Sequence, residues 1–268
     1  MSPLLDRPAI HLEEPSSGEH ILVVSDLHLG IEYEIFRAGG NIPSQTSKMA
    51  GHIVELAKLV GAERVVILGD LKHGVTGLSR QEMREIPVFF ETLLRNVERV
   101  DVVPGNHDSG LGPVLPRGVS LHPARGVRIG ETGFFHGHTW PGEELLSCKV
   151  WVTGHNHAGI EFVDGLGYRH VEPAWIRAPV RRERFMEVYP GGGETCCEWV
   201  CCMPSFNPLV GNIGFNSVQP GELLGPIFRR GILDLENAEV YLLDGLFLGK
   251  LGDLRMLVGQ RRGRGGRG

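Results

Sequence analysis

The chain lacks long apolar runs, secretory features and a disulfide pattern. No hydrophobic stretch approaches the roughly 18 residues that a membrane span requires, and residues 1–10 show no apolar core behind a basic start. The five cysteines are odd in number, and four of them crowd into residues 196–202, unlike the framework of a secreted protein. We therefore expect a cytoplasmic protein that does not bind membranes.

Aromatic side chains and excess charge are also scarce. Aromatic residues make up 7% of the chain and the net charge is −5, which argues against a generally basic, nucleic-acid-binding body. Basic charge is concentrated in the low-complexity tail at 260–268, which holds four arginines and no acid and which we predict to be disordered. This tail either contacts a nucleic-acid backbone or is simply solvated, and the sequence leaves both readings open.

The first half of the chain alternates strand and helix patterns. Short apolar runs at 20–25, 64–68 and 99–103 indicate buried strands, and helical spacing of apolar residues appears over 44–60 and 79–96. This order favours a mainly parallel sheet that is covered by helices.

The second half is richer in short neighbouring strands. Residues 159–163 and 168–172 are typical of a β-hairpin, and residues 185–189 and 195–203 are predicted as further strands. No linker separates the two halves. We predict one domain over 1–259, with the functional motifs within 20–160 and closing strands and helices over 160–259. Two sheets packed face to face are expected in it.

Polar clusters follow five apolar runs, where functional residues collect in α/β sheets. Seven of the twelve histidines lie in these clusters. The clusters are Asp26-Leu27-His28, Gly69-Asp70-Leu71-Lys72-His73, Gly105-Asn106-His107-Asp108, His136-Gly137-His138 and Gly154-His155-Asn156-His157.

Carboxylates and imidazoles together suit divalent first-row metals. In an extended segment residues i and i+2 point the same way, so we expect Asp26 and His28 to reach one ion and His155 and His157 to face one site. Asp70 has two carboxylate oxygens and can bridge two ions. Such a pair clamps a phosphate and lowers the pKa of a bridging water to produce a hydroxide nucleophile.

All five motifs, in this order, resemble those of the calcineurin-like metallophosphoesterases. The resemblance implies a four-layer αββα sandwich of two mixed sheets flanked by helices, and an enzyme that hydrolyses phosphate esters with two divalent metals, Mn foremost and Zn, Fe, Co or Ni as alternatives. It implies a first metal on Asp26, His28, Asp70 and His157 and a second on Asp70, Asn106, His136 and His155. It also implies that His107 protonates the leaving group, and that Asp108 orients His107 by accepting its other ring N–H.

A finer resemblance concerns DLHLGIE (26–32), GNIPSQT (40–46), GDLKH (69–73), HGH (136–138) and PSFNPL (204–209). These segments look like prokaryotic phosphoesterases related to the SbcD nuclease and associated with DNA ligases or helicases. This implies a DNA phosphodiesterase, nuclease or end-processing phosphatase, with DNA and DNA-repair proteins as partners. A small-molecule phosphodiesterase and a non-catalytic metal-bound scaffold in a repair complex are the alternatives. Oligomeric state stays open.

Some residues have two readings. His138, instead of His136, is an alternative metal ligand, and His73, His138 and Arg37 are candidate substrate contacts. The four crowded cysteines lie in an apparent strand, where alternate side chains face opposite sides, so we interpret them as buried small hydrophobes and not as a zinc site.

Overall fold

The first sheet carries the strand–helix alternation of the amino-terminal half. The computed structural model describes the backbone of residues 1–264 and the side chains of residues 1–257. The strands of the first sheet, in spatial order, are β1 (Ser2–Pro3), β2 (Ala9–Glu13), β3 (His20–Ser25), β4 (Arg64–Leu68), β5 (Arg99–Val103) and β6 (Val119–Leu121). From β3 to β6 the strands are parallel, and β1 and β2 are antiparallel additions at one edge.

The second sheet is mixed and is built from the rest of the chain. Its strands are β7 (Val127–Ile129), β8 (Thr132–Phe134), β9 (Val150–Thr153), β10 (Ala158–Val163), β11 (Arg169–Pro179), β12 (Trp199–Cys202), β13 (Ile213–Gly214), β14 (Glu239–Leu242) and β15 (Phe247–Lys250). The spatial order is β13-β10-β11-β12-β9-β8-β7, and β14 with β15 extends it from β11. The pairs β8–β9 and β9–β12 are parallel, whereas β10–β11 is the hairpin expected from the sequence.

Six α-helices lie outside the sheets or in the connections of the described chain. They are α1 (Ile31–Arg37), α2 (Thr46–Val60), α3 (Arg80–Leu94), α4 (Arg182–Val188), α5 (Pro226–Arg229) and α6 (Leu251–Arg264). Ser79 begins α3 in a capping box with Glu82, which satisfies amide groups of the first turn. Among the described residues, no helix is long and apolar enough to cross a membrane.

Alternation along the strands builds the layers. Val23 of β3 lies in the core between the sheets with Val152 and Met203 from the second half of the chain. Its neighbours Leu22 and Val24 point to the opposite face and pack with α2 and α3. The outer face of the second sheet is covered by α4, α5 and the start of α6. The prediction of two mixed sheets flanked by helices in an αββα sandwich is confirmed.

Three details differ from the sequence prediction. Residues 185–189 read as a strand, but α4 occupies Arg182–Val188 because Phe185 and Tyr189, four residues apart, bury one helical face. Helix α1 was not predicted. The tail was expected to be disordered from residue 260, but α6 continues to Arg264, since glutamine and arginine favour helix. Residues 265–268 lie outside the described residues, and the domain bounds stay a prediction.

The crowded cysteines do not face one point. Cys201 packs in the layer between the sheets, Cys197 and Cys202 pack in the outer core, and Cys196 is exposed. All five cysteines are free thiols. The placement of Cys197, Cys201 and Cys202 agrees with the interpretation as buried small hydrophobes, whereas the expected burial of Cys196 was wrong.

Candidate metal centre

Strand ends of both sheets meet at one edge of the sandwich. The parallel strands β3, β4 and β5 deliver the segments at Asp26, Asp70 and Gly105, and β8 and β9 deliver those at His136 and Gly154. Because parallel strands end on the same side, polar residues that are distant in sequence converge there. The structure thus brings side chains from the two sheets into one cluster.

The first group consists of Asp26, His28 and His157, whose ligand atoms lie within 4.8 Å of one another. His157 Nε2 is 3.4 Å from Asp26 Oδ1 and 3.3 Å from His28 Nε2. Asp26 and His28 are almost completely buried. Three donor atoms of the types that bind divalent metals therefore point at one place.

The second group consists of Asp70, His136 and His155, again within 4.8 Å. Asp70 also reaches the first group. Its Oδ2 is 3.3 Å from His136 Nε2, in its own group, and 3.6 Å from His28 Nε2, in the first group. Its Oδ1 accepts the backbone N–H of His107 at 3.0 Å. One oxygen of Asp70 thus lies between the two groups, as a bridging carboxylate must.

His136 is oriented for ligation. Its Nδ1–H donates to the carbonyl oxygen of Leu68 at 3.3 Å, which leaves the Nε2 lone pair directed at Asp70. Nε2 is buried and has no hydrogen-bond partner among the described residues. A cation held between His136 and Asp70 would supply that partner. The unpartnered Nε2 therefore indicates that these residues suit a metal.

Electrostatics keep His28, His155 and Asp70, but not His136, in the protonation state that binds a metal. Burial lowers the pKa of both His28 and His155 to about 3, so both imidazoles are neutral at pH 7. Burial raises the pKa of Asp70, but the neighbouring His136 and His28 outweigh it and hold that pKa well below its usual range. Burial also opposes a proton on His136, yet Asp70 and Asp26 raise its pKa to about 9. That proton and a cation compete for the same lone pair.

The backbone at these residues is unusual. Left-handed φ angles occur at Asp26 (55°), His28 (45°), Asp70 (44°), His155 (68°) and His157 (41°). The expectation that the two DxH and HxH pairs are extended was therefore wrong. A left-handed backbone conformation costs a non-glycine residue about 1 kcal/mol or more, although aspartate and histidine tolerate it better than most residues. Backbone strain is therefore concentrated at the cluster.

Glycines permit the close approach of the loops. A Cβ on Gly69 would lie 2.0 Å from His136 Nδ1, one on Gly105 would lie 2.1 Å from Asp70 Oδ1, and one on Gly154 would lie 2.4 Å from Asp26 Oδ2. All three distances are far below contact. Each of these three glycines is therefore required by a neighbouring candidate ligand, and Gly69 also by its left-handed φ of 76°.

His107 stands at the exposed side of the cluster. Its Nδ1–H donates to the carbonyl oxygen of His73 at 2.5 Å, and its Nε2 lies 3.8 Å from Asp70 Oδ2. The side chain is 21% exposed, so Nε2 is accessible to a bound ester. The neighbouring Asn106 is exposed, and it is the one predicted ligand that no described contact joins to the two groups.

The prediction that Asp108 accepts a ring N–H of His107 was wrong. The Asp108 carboxylate is buried and accepts the backbone N–H groups of Leu71, Lys72 and Gly105 at 3.2, 3.1 and 2.8 Å. Burial raises its pKa. Asp108 thus ties the loop after β4 to the loop after β5, and the carbonyl of His73 orients His107.

The three candidate substrate contacts lie at different places. His73 bridges Glu34, 3.0 Å from its Nε2, and His28, 3.2 Å between their Nδ1 atoms; it also forms a carboxylate-free third group with His28 and His107. His138 lies beside His136 and His155 but outside their group, so the geometry favours His136 as the ligand. Arg37 is exposed on α1.

Sequence reasoning missed two residues of the site. Lys72 is fully buried, and its ammonium donates to the carbonyl oxygens of Gly74 and His107. Glu34 reaches His73 from α1. Lys72 lies inside one of the five motifs, and a lysine next to residues predicted to be buried was a signal that could have identified it. No comparable signal in the sequence pointed to Glu34.

Comparison with known proteins agrees with this geometry. Residues 19–217 match the family described as calcineurin-like phosphoesterase, and the chain belongs to that family. It is a metal-dependent phosphoester hydrolase.

Two solved structures are similar to the chain. Nuclease MPE from Pseudomonas putida is 17% identical, with a TM-score of 0.51 over 88% of this chain and 97% of that chain. The E. coli phosphoesterase Yfce is 20% identical, with a TM-score of 0.39 over 86% of this chain and 97% of that chain. No curated protein matches the sequence significantly.

Proposed function

We propose that this chain hydrolyses DNA phosphodiesters at a site that binds two divalent metals. The observation that carries the proposal is the position of Asp70 Oδ2, 3.6 Å from His28 Nε2 and 3.3 Å from His136 Nε2. A carboxylate oxygen shared by two histidine-containing groups is the arrangement that two neighbouring cations need. The non-catalytic scaffold alternative is set aside by the family assignment.

The ligand sets are those expected from the sequence. The residues that would hold the first metal are Asp26, His28, Asp70 and His157, and those that would hold the second are Asp70, Asn106, His136 and His155. When bound, the two cations acidify a water molecule and neutralise charge on the phosphate oxygens. Mn is the preferred metal of this proposal, and Zn, Fe, Co and Ni bind to the same donor types.

His107 holds the proton for the leaving oxygen. Its Nδ1–H is committed to the His73 carbonyl, so Nε2, on the accessible side, is the ring atom that can carry a proton to the leaving oxygen. Transfer of that proton stabilises the departing alkoxide of a sugar. Lys72 supports this arrangement, since its ammonium holds the carbonyl oxygen of His107 itself.

An extended substrate suits the openness of the site. His107 and His157 are 21% and 15% exposed, and Asn106 is exposed, so the cluster faces solvent at the edge of the sandwich. The nuclease with a similar fold supports a nucleic-acid substrate. A small phosphodiester is the second candidate. Association with a ligase or helicase, a cytoplasmic location and nucleic-acid contacts of the 260–268 tail belong to the same proposal.

A panel of metals against substrates tests the function. Mn, Zn, Fe, Co and Ni are each combined with bis(p-nitrophenyl) phosphate, p-nitrophenyl phosphate, and single- and double-stranded DNA. We expect metal-dependent cleavage of the diester and of DNA by the wild type, loss of both in Asp70→Asn, and no change in His170→Asn, a control at an exposed histidine on β11. Cleavage confined to small esters would refute the DNA substrate, and unchanged rates in Asp70→Asn would refute the site.

A further inference from the structure

Helix α1 presents an exposed aromatic face beside the metal centre. Tyr33 and Phe36 are 51% and 65% exposed, and Arg37 is also exposed. Positions i, i+3 and i+4 share one side of a helix, so the two rings and the guanidinium form a continuous surface. We call Tyr33, Phe36 and Arg37 the α1 face.

The α1 face is joined to the site through hydrogen bonds. Glu34 of the same helix is 3.0 Å from His73 Nε2, and His73 Nδ1 is 3.2 Å from Nδ1 of the candidate ligand His28. The seven residues of α1 span about 10 Å, the length of about three stacked nucleotides. A strand whose phosphate lies at the metals therefore reaches this face within a few nucleotides.

The start of the helix is anchored by contacts with its neighbours. Gly30 precedes it with φ 90°, and a Cβ there would lie 3.0 Å from Cγ of Glu82 on α3. Ile31 is buried, and the buried Glu32 accepts the backbone N–H of Gln45 at 2.7 Å. The exposed rings thus follow an anchored first turn, which reduces the backbone entropy lost when a ligand binds to them.

We propose that the α1 face binds the unpaired bases of a DNA strand next to the scissile phosphate, with bases stacked on Tyr33 and Phe36 and a backbone phosphate on Arg37. This deepens the proposed function and rests on it. Aromatic side chains stack on every type of base, so this binding does not depend on the DNA sequence. The chain has a net charge of −5, so attraction to phosphates alone supplies little affinity and stacking becomes the main contribution. Glu34 directs its carboxylate to His73 Nε2, 3.0 Å away, although its side chain is 64% exposed.

The test compares Tyr33→Ala/Phe36→Ala with three references. These are the wild type, Tyr33→Phe, which keeps both rings, and Tyr168→Ala, which removes a 69% exposed ring from the turn at the far end of β10 from His157. Substrates are a single-stranded oligonucleotide, the blunt duplex of the same sequence and bis(p-nitrophenyl) phosphate, all with Mn. Oligonucleotide binding by fluorescence anisotropy in Asp70→Asn, with and without the double substitution, gives a readout that does not need turnover.

We expect the double variant to lose about tenfold or more in kcat/KM and affinity for the single strand. Its rate on bis(p-nitrophenyl) phosphate stays unchanged, the loss on the blunt duplex is smaller, and Tyr33→Phe and Tyr168→Ala behave as the wild type. If the double variant cleaves the single strand at the wild-type rate, the proposal is overturned while the proposed function stands. The α1 face would then be a candidate surface for a protein partner. An equal loss on bis(p-nitrophenyl) phosphate overturns it by showing that α1 only supports the site. A wild type that cleaves the small diester but neither cleaves nor binds DNA overturns both the DNA substrate and this role.

Discussion

Replacing Gly69 by alanine tests whether the close approach of two loops sets the metal site. Gly69 has φ +76°, and its Cβ would lie 2.0 Å from Nδ1 and 2.2 Å from Cγ of His136. Ordinary carbon contacts are about 3.5–4 Å, so the imidazole must move by more than about 1 Å. His136 is fully buried and its Nε2 lies 3.3 Å from Asp70 Oδ2, so a shift of the ring changes its position relative to Asp70.

The magnitude follows from two contributions. A left-handed backbone costs alanine about 1–2 kcal/mol relative to glycine, and overpacking a filled site costs about 1–3 kcal/mol more. Metal–ligand distances tolerate about 0.2 Å, so a displaced His136 no longer serves as a ligand, and we expect Mn affinity at one site to fall by about 100-fold or more.

Gly77→Ala is the matched control. Gly77 has φ +71°, nearly the same backbone conformation, but nothing lies within 4 Å of its added Cβ. It therefore carries the backbone cost without the collision. Urea unfolding in the presence of EDTA and Mn titration by calorimetry are measured for both variants.

We expect Gly69→Ala to be less stable than Gly77→Ala by about 1–3 kcal/mol and to bind one Mn fewer at micromolar concentrations. Gly77→Ala should bind Mn as the wild type does. Equal unfolding midpoints and equal Mn binding in the two variants would refute the reasoning, because they would show that His136 does not depend on a bare backbone at Gly69.

Three further predictions concern the proton donor, the loop ties and the thiols. His107→Asn should slow DNA cleavage by about 10²–10⁴-fold but slow bis(p-nitrophenyl) phosphate hydrolysis far less, because nitrophenolate leaves without a proton; equal losses in kcat would contradict the role as acid. Asp108→Ala should lower the free energy of unfolding by about 3 kcal/mol, since three buried N–H groups lose their acceptor, whereas Asp164→Ala, which removes an exposed acceptor of two N–H groups, should cost under about 1 kcal/mol in the same urea titration. Burial raises the pKa of Cys201 to about 12 and raises those of Cys148, Cys197 and Cys202, so at pH 8 a thiol reagent should modify one residue, Cys196, in the native protein and five after denaturation; Cys196→Ser should abolish the native reaction, and fast modification of a second thiol would contradict the placement.

The sequence was most informative where the physical cause is local. The runs at 20–25, 64–68 and 99–103 are buried on both faces, so their apolar composition alone identifies them as central strands, and the structure has the same bounds. The order of the motifs was enough to predict the αββα sandwich and to gather the candidate ligands at one edge.

Local reasoning failed where partners are distant in sequence. The hydrogen bond of His107 goes to a carbonyl 34 residues away, and a backbone acceptor leaves no trace in residue types, so the sequence could not correct the role that the family resemblance implied for Asp108. The left-handed φ angles of Asp26 and His28 arise because their backbone N–H groups bond to carbonyls of Gly69 and Asp70, a tertiary constraint that overrides the extended preference. Helix α1 was missed because few of its seven residues are buried, which leaves little apolar periodicity to detect.

The origin of the ligands in two different sheets has a consequence for how the chain holds together. His28 follows a strand of the first sheet and His157 follows a strand of the second, 129 positions later, yet their Nε2 atoms are 3.3 Å apart. An ion bound by both histidines would crosslink the chain and close a loop longer than the loops that most disulfides close. By the chain-entropy argument, such a crosslink would raise the free energy of unfolding by roughly 4–5 kcal/mol. Metals bound at this site would therefore also join the two halves of the sandwich, and a chelator should destabilise the fold as it stops catalysis.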